Sequence, residues 1–236
     1  MNDTLTVSMI KKFELREGYW HSSEKHILNI VKRYIRELVK NNNSKMLDAG
    51  CGIGRLIPIF EKYFSEVYAI EPDIDRIEDA KKMIDFYGLQ NKVAFINHSA
   101  EDVSSMEKVD AIICSHIIQH VGVKTAEDII RKFGESLKDE GLLFIMTCYS
   151  DREEDYFMQD YLLNGEFVEK DINRDRFEEL VCGIGEVLPV HFFTKQTITN
   201  MLVQQKLEVI DLRKYHKLKG RQGFRDVLIV AKKRLG

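Results

Sequence analysis

The 236-residue chain contains no long apolar run and no strong excess of either charge. No stretch approaches the roughly 20 apolar residues that span a bilayer, and residues 1–12 lack the apolar core of a signal peptide. We therefore expect a cytoplasmic protein that contacts no membrane. The net charge of −3 and the pI near 6.2 disfavour a protein held to its partners chiefly through phosphate contacts.

Cysteine is scarce, and none of the four cysteines belongs to a Cys-x-x-Cys pair. Cys51, Cys114 and Cys148 each fall at the end of a predicted strand, so they would lie near one edge of a sheet. A metal site built from them is the less favoured alternative, because isolated buried cysteines usually pack as small hydrophobic residues. The pattern fits a reducing compartment.

Helical and strand patterns alternate from about residue 22 to residue 148, which is typical of a parallel sheet with crossover helices. The helix before the first strand carries apolar residues from 27 to 38 at helical spacing. Three further helices are predicted over 53–64, from 72 to 88 and from 125 to 141. The predicted strands are 45–49, 66–71, 92–97, 109–114, 142–148, 208–212 and 226–231, the last two forming an antiparallel pair.

Two local signals mark helix starts. Thr125-x-x-Asp128 is typical of a capping box, and Phe193 and Ile198 bracket Thr194 as a hydrophobic staple around an N-cap. In the helix from 72 to 88, Ile74, Ile77, Met83, Ile84 and Tyr87 are predicted to face the sheet.

We predict a single domain made of four segments. The insertion is predicted to be a helical cap without strands, with one helix from a cap at Ser150 to residue 163 and another over 176–182. It is too short to have a core of its own. The segments are an N-terminal helical part (1–44), a cofactor-binding core (45–148), the cap insertion (149–193), and a C-terminal helix with the strand pair (194–236).

A glycine-rich segment joins the first predicted strand to the helical pattern after it. Its three glycines, Gly50, Gly52 and Gly54, let the backbone take positive φ and let a ligand lie against the main chain. The next strand ends at Glu71, about 20 residues further on, where an α/β sheet meets a ribose. Asp48, the glycines and Glu71 together predict a pocket for an adenosine-containing cofactor.

The spacing G-x-G-x-G after Asp48 differs from the dinucleotide fingerprint G-x-G-x-x-G and resembles the first motif of class I S-adenosylmethionine-dependent methyltransferases. The resemblance implies an α/β fold, a Rossmann-like doubly wound sheet of five parallel strands plus a terminal antiparallel pair. It also implies S-adenosyl-L-methionine as the cofactor, with the glycines beside its methionine half. Glu71 would accept hydrogen bonds from both ribose hydroxyls.

The resemblance places the adenine at the turn after the third strand, where the family often has Asp before Ala. Here Ser99 precedes Ala100, so either Ser99 replaces the acid or Glu101 or Asp102 takes over. The predicted cofactor-binding residues are Asp48, Gly50, Cys51, Gly52, Gly54, Glu71, Pro72, Ser99, Ala100, Glu101 and Ser115.

The segment CSHIIQHV (114–121) resembles the segment after the fourth strand in small-molecule methyltransferases. The chain lacks the [N/D/S]-P-P-[Y/F/W] sequence of many exocyclic-amine methyltransferases and the Pro-Cys dipeptide of the cytosine-C5 type. His116 and His120 are candidate catalytic bases, because histidine titrates near neutrality. Packing or capping is the competing role for His120. Without the Glu of H-E-x-x-H or a third ligand, the histidines predict no metal site.

Tyr19, Trp20, Tyr149 and Phe157 are the predicted substrate-binding residues, as parts of an aromatic lid suited to a small, partly apolar substrate. Packing of the cap onto the sheet is the competing explanation for each of them. We predict an enzyme that transfers a methyl group from S-adenosylmethionine to an O, N or C atom of a small molecule.

Three alternatives stay open. The first is a methyltransferase acting on RNA or protein, with the basic segment 214–234 as the docking face, although a lysine-rich sheet edge has the same composition. The second is an NAD-dependent oxidoreductase, and the third is a non-catalytic cofactor-binding protein. The sequence predicts no oligomeric state.

Overall fold

The computed structural model describes residues 22–39, 43–163, 166–182, 189–215 and 225–235. In these ranges the strands, numbered in chain order, are β1 (Lys45–Ala49), β2 (Glu66–Ile70), β3 (Val93–Ile96), β4 (Val109–Ser115), β5 (Leu137–Cys148), β6 (Tyr156–Leu163), β7 (Glu166–Ile172), β8 (Val190–Phe192), β9 (Leu207–Tyr215) and β10 (Asp226–Lys233). The helices are α1 (Ser22–Leu38), α2 (Ile57–Phe60), α3 (Ile74–Phe86), α4 (Val123–Ser136), α5 (Arg174–Val181) and α6 (Lys195–Val203).

The main sheet has seven strands in the order β3-β2-β1-β4-β5-β10-β9. Strands β1 to β5 are parallel, and β10 runs antiparallel to both β5 and β9. This confirms the predicted Rossmann-like sheet of five parallel strands with a terminal antiparallel pair. The chain order reverses between β1 and β4, and in such sheets ligands bind at this reversal, beyond the carboxyl ends of the strands.

The apolar side chains of the sheet divide into two cores, one on each face. One core joins α1 to the sheet through Val31, Ile35 and their neighbours. The other packs α4 and α6 against the opposite face, with Phe133 and Leu202 buried. From Leu142 to Cys148, strand β5 is buried on both faces, which accounts for its continuous apolar run. None of the described helices is both long and apolar enough to cross a membrane.

The helix predicted over 53–64 is shorter than expected. It consists of α2, which has Pro58 in its first turn, and a 3-10 helix over Glu61–Tyr63. Residues 51–56 form turns, because Gly52 and Gly54 both take positive φ, which no right-handed helix accommodates. The loop therefore extends further than its apolar pattern indicates.

Helix α3 begins as predicted, with the Asp73 carboxylate accepting hydrogen bonds from two backbone N–H groups of the first turn. Of its predicted sheet-facing residues, Ile77, Met83 and Ile84 are buried. Ile74 and Tyr87 are 54% and 48% exposed, so the prediction was wrong for the two ends of the helix.

Helix α4 starts two residues before the predicted capping box. Its N-cap is Gly122, which has no side chain to offer, and the Val123 N–H instead donates to Glu178 Oε1 of α5 at 3.0 Å. A Cβ on Gly122 would lie 2.6 Å from Glu178 Oε2, so a larger residue would require this carboxylate to shift. The Thr125-x-x-Asp128 box was wrong because the cap comes from a residue 55 positions away.

The cap insertion contains strands, contrary to the helical prediction. Strands β7, β6 and β8 form a second, antiparallel sheet in that order, and only α5 matches a predicted cap helix. The residues of β6 and β7 are rich in aromatic and β-branched types, which favour strands. Between them, and outside the described residues, lies Asn164-Gly165, a sequence typical of a two-residue hairpin rather than a helix end.

The half-buried Asp155 and the buried His191 form a pair that anchors the cap to α6. His191 Nε2 lies 2.8 Å from Asp155 Oδ2, and the His191 ring packs against Phe157 and Phe193. Asp155 Oδ1 accepts hydrogen bonds from the Thr194 N–H at 2.7 Å and the Thr197 hydroxyl at 2.8 Å. Thr194 is the N-cap of α6, as its staple predicted.

We expect Asp155→Asn to lower the free energy of unfolding at neutral pH by about 1.5–3 kcal/mol, the range for hydrogen bonds to a charged group. Burial opposes ionisation of Asp155, but the hydrogen bonds from His191, Thr194 and Thr197 together hold its pKa below the ordinary value. A lowered pKa stabilises the fold above the unfolded-state pKa, and this contribution is lost as the pH falls below about 4. Urea unfolding of both proteins at neutral and acid pH measures the difference, which should shrink in acid. An equal difference at both pH values would contradict the role of the charge.

Candidate functional site

The glycine loop, residues 50–54, follows β1 at the carboxyl end of the sheet. Gly50, Gly52 and Gly54 have φ of +64°, +55° and +78°. A Cβ on Gly50 would lie 1.9 Å from Ile117 Cδ1, so a larger residue would have to displace the Ile117 side chain as well as adopt a left-handed backbone. Above Gly52 the nearest atom to a Cβ would be Arg76 Nη1 at 3.9 Å, so the space beside this glycine is open to a ligand.

Glu71 joins the end of β2 to the glycine loop. Its carboxylate is buried and accepts a hydrogen bond from the Gly52 N–H to Oε2 at 2.9 Å and from the Asp73 N–H to Oε1 at 3.2 Å. Each carboxylate oxygen has a second lone pair, so the two backbone bonds orient the group and leave it able to accept from a diol. The structure therefore brings together the loop and the acid that the sequence predicts as one pocket.

Asp48 is buried beneath the loop, and its Oδ2 has no hydrogen-bond partner among the described residues. Burial, opposed by Arg55 and reinforced by Glu71, raises the pKa of Asp48 to about 7. A buried carboxylate with an unused oxygen is stabilised by a cationic ligand. The pocket therefore suits a molecule that carries a diol and a positive charge.

Cys51 lies in this pocket as a packing residue. Its backbone N–H donates to Ile70 O at 2.9 Å, which continues the β1–β2 pairing into the loop. Burial, with the nearby Asp48 and Glu71 carboxylates, raises the pKa of the Cys51 thiol, which therefore stays protonated and unreactive.

The predicted adenine side lies at the start of a short helix after β3. Ser99 is the N-cap of a 3-10 helix over Ala100–Ser105, and its Oγ accepts from the Glu101 N–H at 3.3 Å. Ala100 is buried and Glu101 is exposed. The residue missed here is Asn97, whose Nδ2 donates to Glu71 O at 3.1 Å and Pro72 O at 2.9 Å and so ties β3 to the end of β2.

Gln119 organises the segment after β4, and sequence reasoning missed it. It is buried, and its Oε1 accepts from the Cys148 N–H at 3.0 Å and the Thr147 hydroxyl at 3.2 Å. A backbone N–H can only donate, so this contact identifies the amide oxygen and nitrogen of Gln119. The one signal in the sequence that could have identified Gln119 was its position as a polar residue within an apolar run.

The orientation of Gln119 fixes the tautomer of His116. His116 Nδ1 lies 3.1 Å from Gln119 Oε1, so Nδ1 carries the proton and Nε2 is the basic nitrogen, 3.2 Å from the Tyr215 hydroxyl. His116 has φ of +58°, and its backbone N–H donates to Met146 O at 2.7 Å. Positive φ in a non-glycine residue is strained and concentrates at functional sites.

Both ring nitrogens of His120 are engaged by the protein. Gln119 Nε2 donates to His120 Nε2 at 3.2 Å, and His120 Nδ1 donates to Pro189 O at 3.0 Å. His120 therefore connects the β4 segment to the cap, which favours the packing role over the catalytic one.

The remaining predicted residues are one cofactor-binding candidate, Ser115, and the four substrate-binding candidates. Ser115 is half-buried at the end of β4. Tyr149 is buried between the sheet and Phe193, and Phe157 packs in the aromatic cluster of the cap beside a cavity of 460 Å³. Tyr19 and Trp20 lie outside the described residues.

Residues 19–212 match the family model described as a methyltransferase domain. The chain belongs to this methyltransferase family. A probable S-adenosylmethionine-dependent methyltransferase of Saccharomyces cerevisiae is 30% identical over 125 residues, or 49% of this chain and 42% of the yeast protein. A ubiquinone biosynthesis O-methyltransferase of Pelagibacter ubique is 29% identical over 157 residues, or 58% of this chain and 63% of that protein. The matches thus span about half of each relative.

Solved methyltransferases share the fold. An S-adenosylmethionine-dependent methyltransferase from Clostridium acetobutylicum superimposes with a TM-score of 0.66 over 97% of this chain and 98% of its own, at 13% identity. The 1,6-didemethyltoxoflavin-N1-methyltransferase of Burkholderia thailandensis has a TM-score of 0.63 over 91% of this chain and 79% of its own, also at 13% identity.

Substituting two glycines with similar backbones distinguishes the effect of ligand contact from the effect of backbone strain. Gly52 and Gly88 both take positive φ, and a Cβ on either would have no protein atom closer than 3.9 Å, but Gly88 ends α3, away from the loop. We expect Gly52→Ala and Gly88→Ala each to lower the free energy of unfolding by about 1–2 kcal/mol, the strain of a left-handed residue. Only Gly52→Ala should weaken S-adenosylmethionine binding, as measured by calorimetry. Equal affinities in the two variants would mean that no ligand lies against Gly52.

Proposed function

We propose that this chain is an S-adenosylmethionine-dependent methyltransferase that acts on a small molecule. The observation that carries the proposal is the joined pocket, in which Glu71 is hydrogen-bonded to the open face of the glycine loop above the unpaired oxygen of Asp48. A diol acceptor and a buried anion match the ribose and the positive charge of this cofactor.

Bound S-adenosylmethionine supplies a methyl group on a sulfonium that is already a good leaving group. Glu71 would hold the ribose hydroxyls, and Asp48 would face the positively charged half along the glycines. The hydrogen bonds of Gln119 and His120 would hold in place the acceptor side of the pocket, the part that receives the molecule to be methylated. They tie the segment after β4 to β5 and to the cap.

Positioning outweighs acid–base catalysis in such a reaction. Alignment of the acceptor with the methyl group contributes about 7–11 kcal/mol, whereas a positioned base contributes 10²–10⁴-fold, or about 3–5 kcal/mol. Both ring nitrogens of each candidate base contact protein groups, and the basic nitrogen of His116 faces the Tyr215 hydroxyl rather than the Gln119 amide. His120 is a positioning residue in this proposal.

The ion pairs of the basic segment, residues 214–234, favour a small molecule over RNA as the methyl acceptor. Four of the segment's five described cations are paired with carboxylates, Lys214 with Asp151, Arg225 with Glu169, Lys232 with Glu140 and Arg234 with Glu208. The fifth, Lys233, donates to the backbone carbonyls of Gly134 and Leu137. Cations paired in this way release fewer counterions to phosphate, so they make a poor docking face for nucleic acid. The names of the relatives, which include ubiquinone and toxoflavin methyltransferases, also favour an O or N atom of a small molecule.

Glu71→Ala should weaken S-adenosylmethionine binding by about 2–4 kcal/mol, roughly 30- to 700-fold, through the loss of charged hydrogen bonds. Glu66→Ala is the matched control, because Glu66 lies at the opposite end of β2 and is paired with Lys45. Calorimetric titration of both variants and the parent, with S-adenosylmethionine and NAD side by side, measures the effect.

Unchanged affinity in Glu71→Ala would remove the ribose role. Tighter binding of NAD than of S-adenosylmethionine by the parent would favour the oxidoreductase instead. Retention of RNA with a steep salt dependence would reopen the RNA substrate.

Cofactor affinity should rise with pH through the titration of Asp48. Since the pKa of Asp48 is raised to about 7 in the free protein, part of the population carries a proton near neutrality and must release it to face a cation. We expect tighter binding as the pH increases from about 6 to about 8, with proton release visible in buffers of different ionisation enthalpy. Asp48→Asn should flatten this dependence. A pH profile that persists in Asp48→Asn would assign it to another group.

A further inference from the structure

Three potential metal ligands converge at the carboxyl ends of β4 and β5. One ring nitrogen of His116, the Cys148 thiol sulfur and a carboxylate oxygen of Asp226 all lie within 4.8 Å of one another. Among the described residues, no other group of three His, Cys, Asp or Glu side chains meets this condition. Cys148 and Asp226 are cross-strand partners on β5 and β10, and His116 directly follows β4.

The surroundings hold these three groups in place. Cys148 and Asp226 are buried, with Cys148 Sγ 3.9 Å from Asp226 Oδ1. The His116 Nδ1–H is donated to Gln119 Oε1, so Nε2 is the nitrogen with the basic lone pair. Histidines that bind metals almost always donate their other N–H to an oxygen in this way, which fixes the ring and its tautomer. The backbone of His116 is held in its strained conformation by the hydrogen bond to Met146 O.

We propose that His116, Cys148 and Asp226 form a binding site for a divalent transition metal of the zinc type. Imidazole, thiolate and carboxylate are the ligands that zinc takes in tetrahedral sites. Bond lengths of about 2.0–2.3 Å set tetrahedral ligand atoms about 3.3–3.8 Å apart. The Cys148 Sγ–Asp226 Oδ1 distance of 3.9 Å is already near that spacing, and the other pairs, which lie within 4.8 Å, need to close by at most about 1.5 Å. Binding forms the metal–sulfur bond as the Cys148 thiol releases its proton to solvent.

The sequence predicts no such site, because its ligands come from three separate parts of the chain: the residue after β4, the end of β5 and the start of β10. The two histidines at i, i+4 are the visible pair, yet His120 is engaged elsewhere and Asp226 is 78 residues from Cys148 along the chain. The three ligands leave the fourth coordination position of a tetrahedral ion open. The Tyr215 hydroxyl, 3.2 Å from His116 Nε2, is the protein group beside that position.

The location gives the metal a use that rests on the proposed function. A zinc ion with an open position lowers the pKa of a bound hydroxyl, so an acceptor oxygen held there would lose its proton without a protein base. His116 would then act on the acceptor through the metal. Metal binding itself does not depend on methyl transfer.

The test uses the full chain, stripped with a chelator and titrated with Zn²⁺ or Co²⁺. We expect one equivalent of metal to remain after gel filtration, and the Co²⁺ form to show a thiolate-to-metal charge-transfer band in the near ultraviolet. Cys148→Ser should remove the band and weaken binding by more than about 100-fold, since even outer hydrogen-bond partners of metal ligands contribute 10–100-fold. Cys182→Ser is the matched control, because Cys182 is an exposed free thiol in the cap.

A second pair of variants keeps the test decisive if Cys148→Ser folds poorly. His116→Ala should lose the metal, whereas His98→Ala, at an exposed histidine, should keep it. Circular dichroism verifies that each variant is folded. Substoichiometric metal in the folded parent, or an unchanged cobalt band in folded Cys148→Ser or His116→Ala, would overturn the proposal. S-adenosylmethionine titration of the same samples reports separately on the proposed function, so a failure of one does not imply a failure of the other.

Discussion

The hydrogen bond from the Gly52 N–H to Glu71 Oε2 is the contact on which the proposed cofactor pocket depends. It requires a left-handed glycine in the loop, a strand end that places an acid beside it, and a second backbone donor at Asp73. These contacts fix the orientation of the Glu71 carboxylate without the help of a ligand. Beneath it, Asp48 is buried without a hydrogen-bond donor for one oxygen among the described residues, so the pocket is electrostatically incomplete by itself.

A single amide plays the corresponding part on the acceptor side. Because the Cys148 N–H identifies the Gln119 oxygen, the protons on His116 and His120 follow by elimination along one chain of hydrogen bonds. Two histidines that look equivalent in the sequence thereby acquire different roles. One is held between the β4 segment and the cap, and the other presents its basic nitrogen to Tyr215 and the buried ends of β5 and β10.

The parts of the structure that follow local rules could be predicted from the sequence. The apolar strands, the glycine loop, Glu71 and the N-cap at Thr194 are signalled within a few residues, and all lie where expected. The cap was mispredicted because Ser150 and Asn164-Gly165 suit a helix start and end as well as turns around a hairpin. Side chains that meet only in the folded chain gave no local signal, as with Asp226 beside Cys148 or Asn97 beneath Glu71.

The N-terminus of α4 relies on a carboxylate that belongs to the cap, since Glu178 satisfies the Val123 N–H and Gly122 leaves room for it. The cap is therefore not a detachable module. A chimera that replaces residues 149–193 with the cap of another protein would remove the Glu178 carboxylate and leave a glycine-capped helix directly after the β4 segment. Transplantation of a foreign cap must therefore also introduce at residue 122 a side chain that caps the helix.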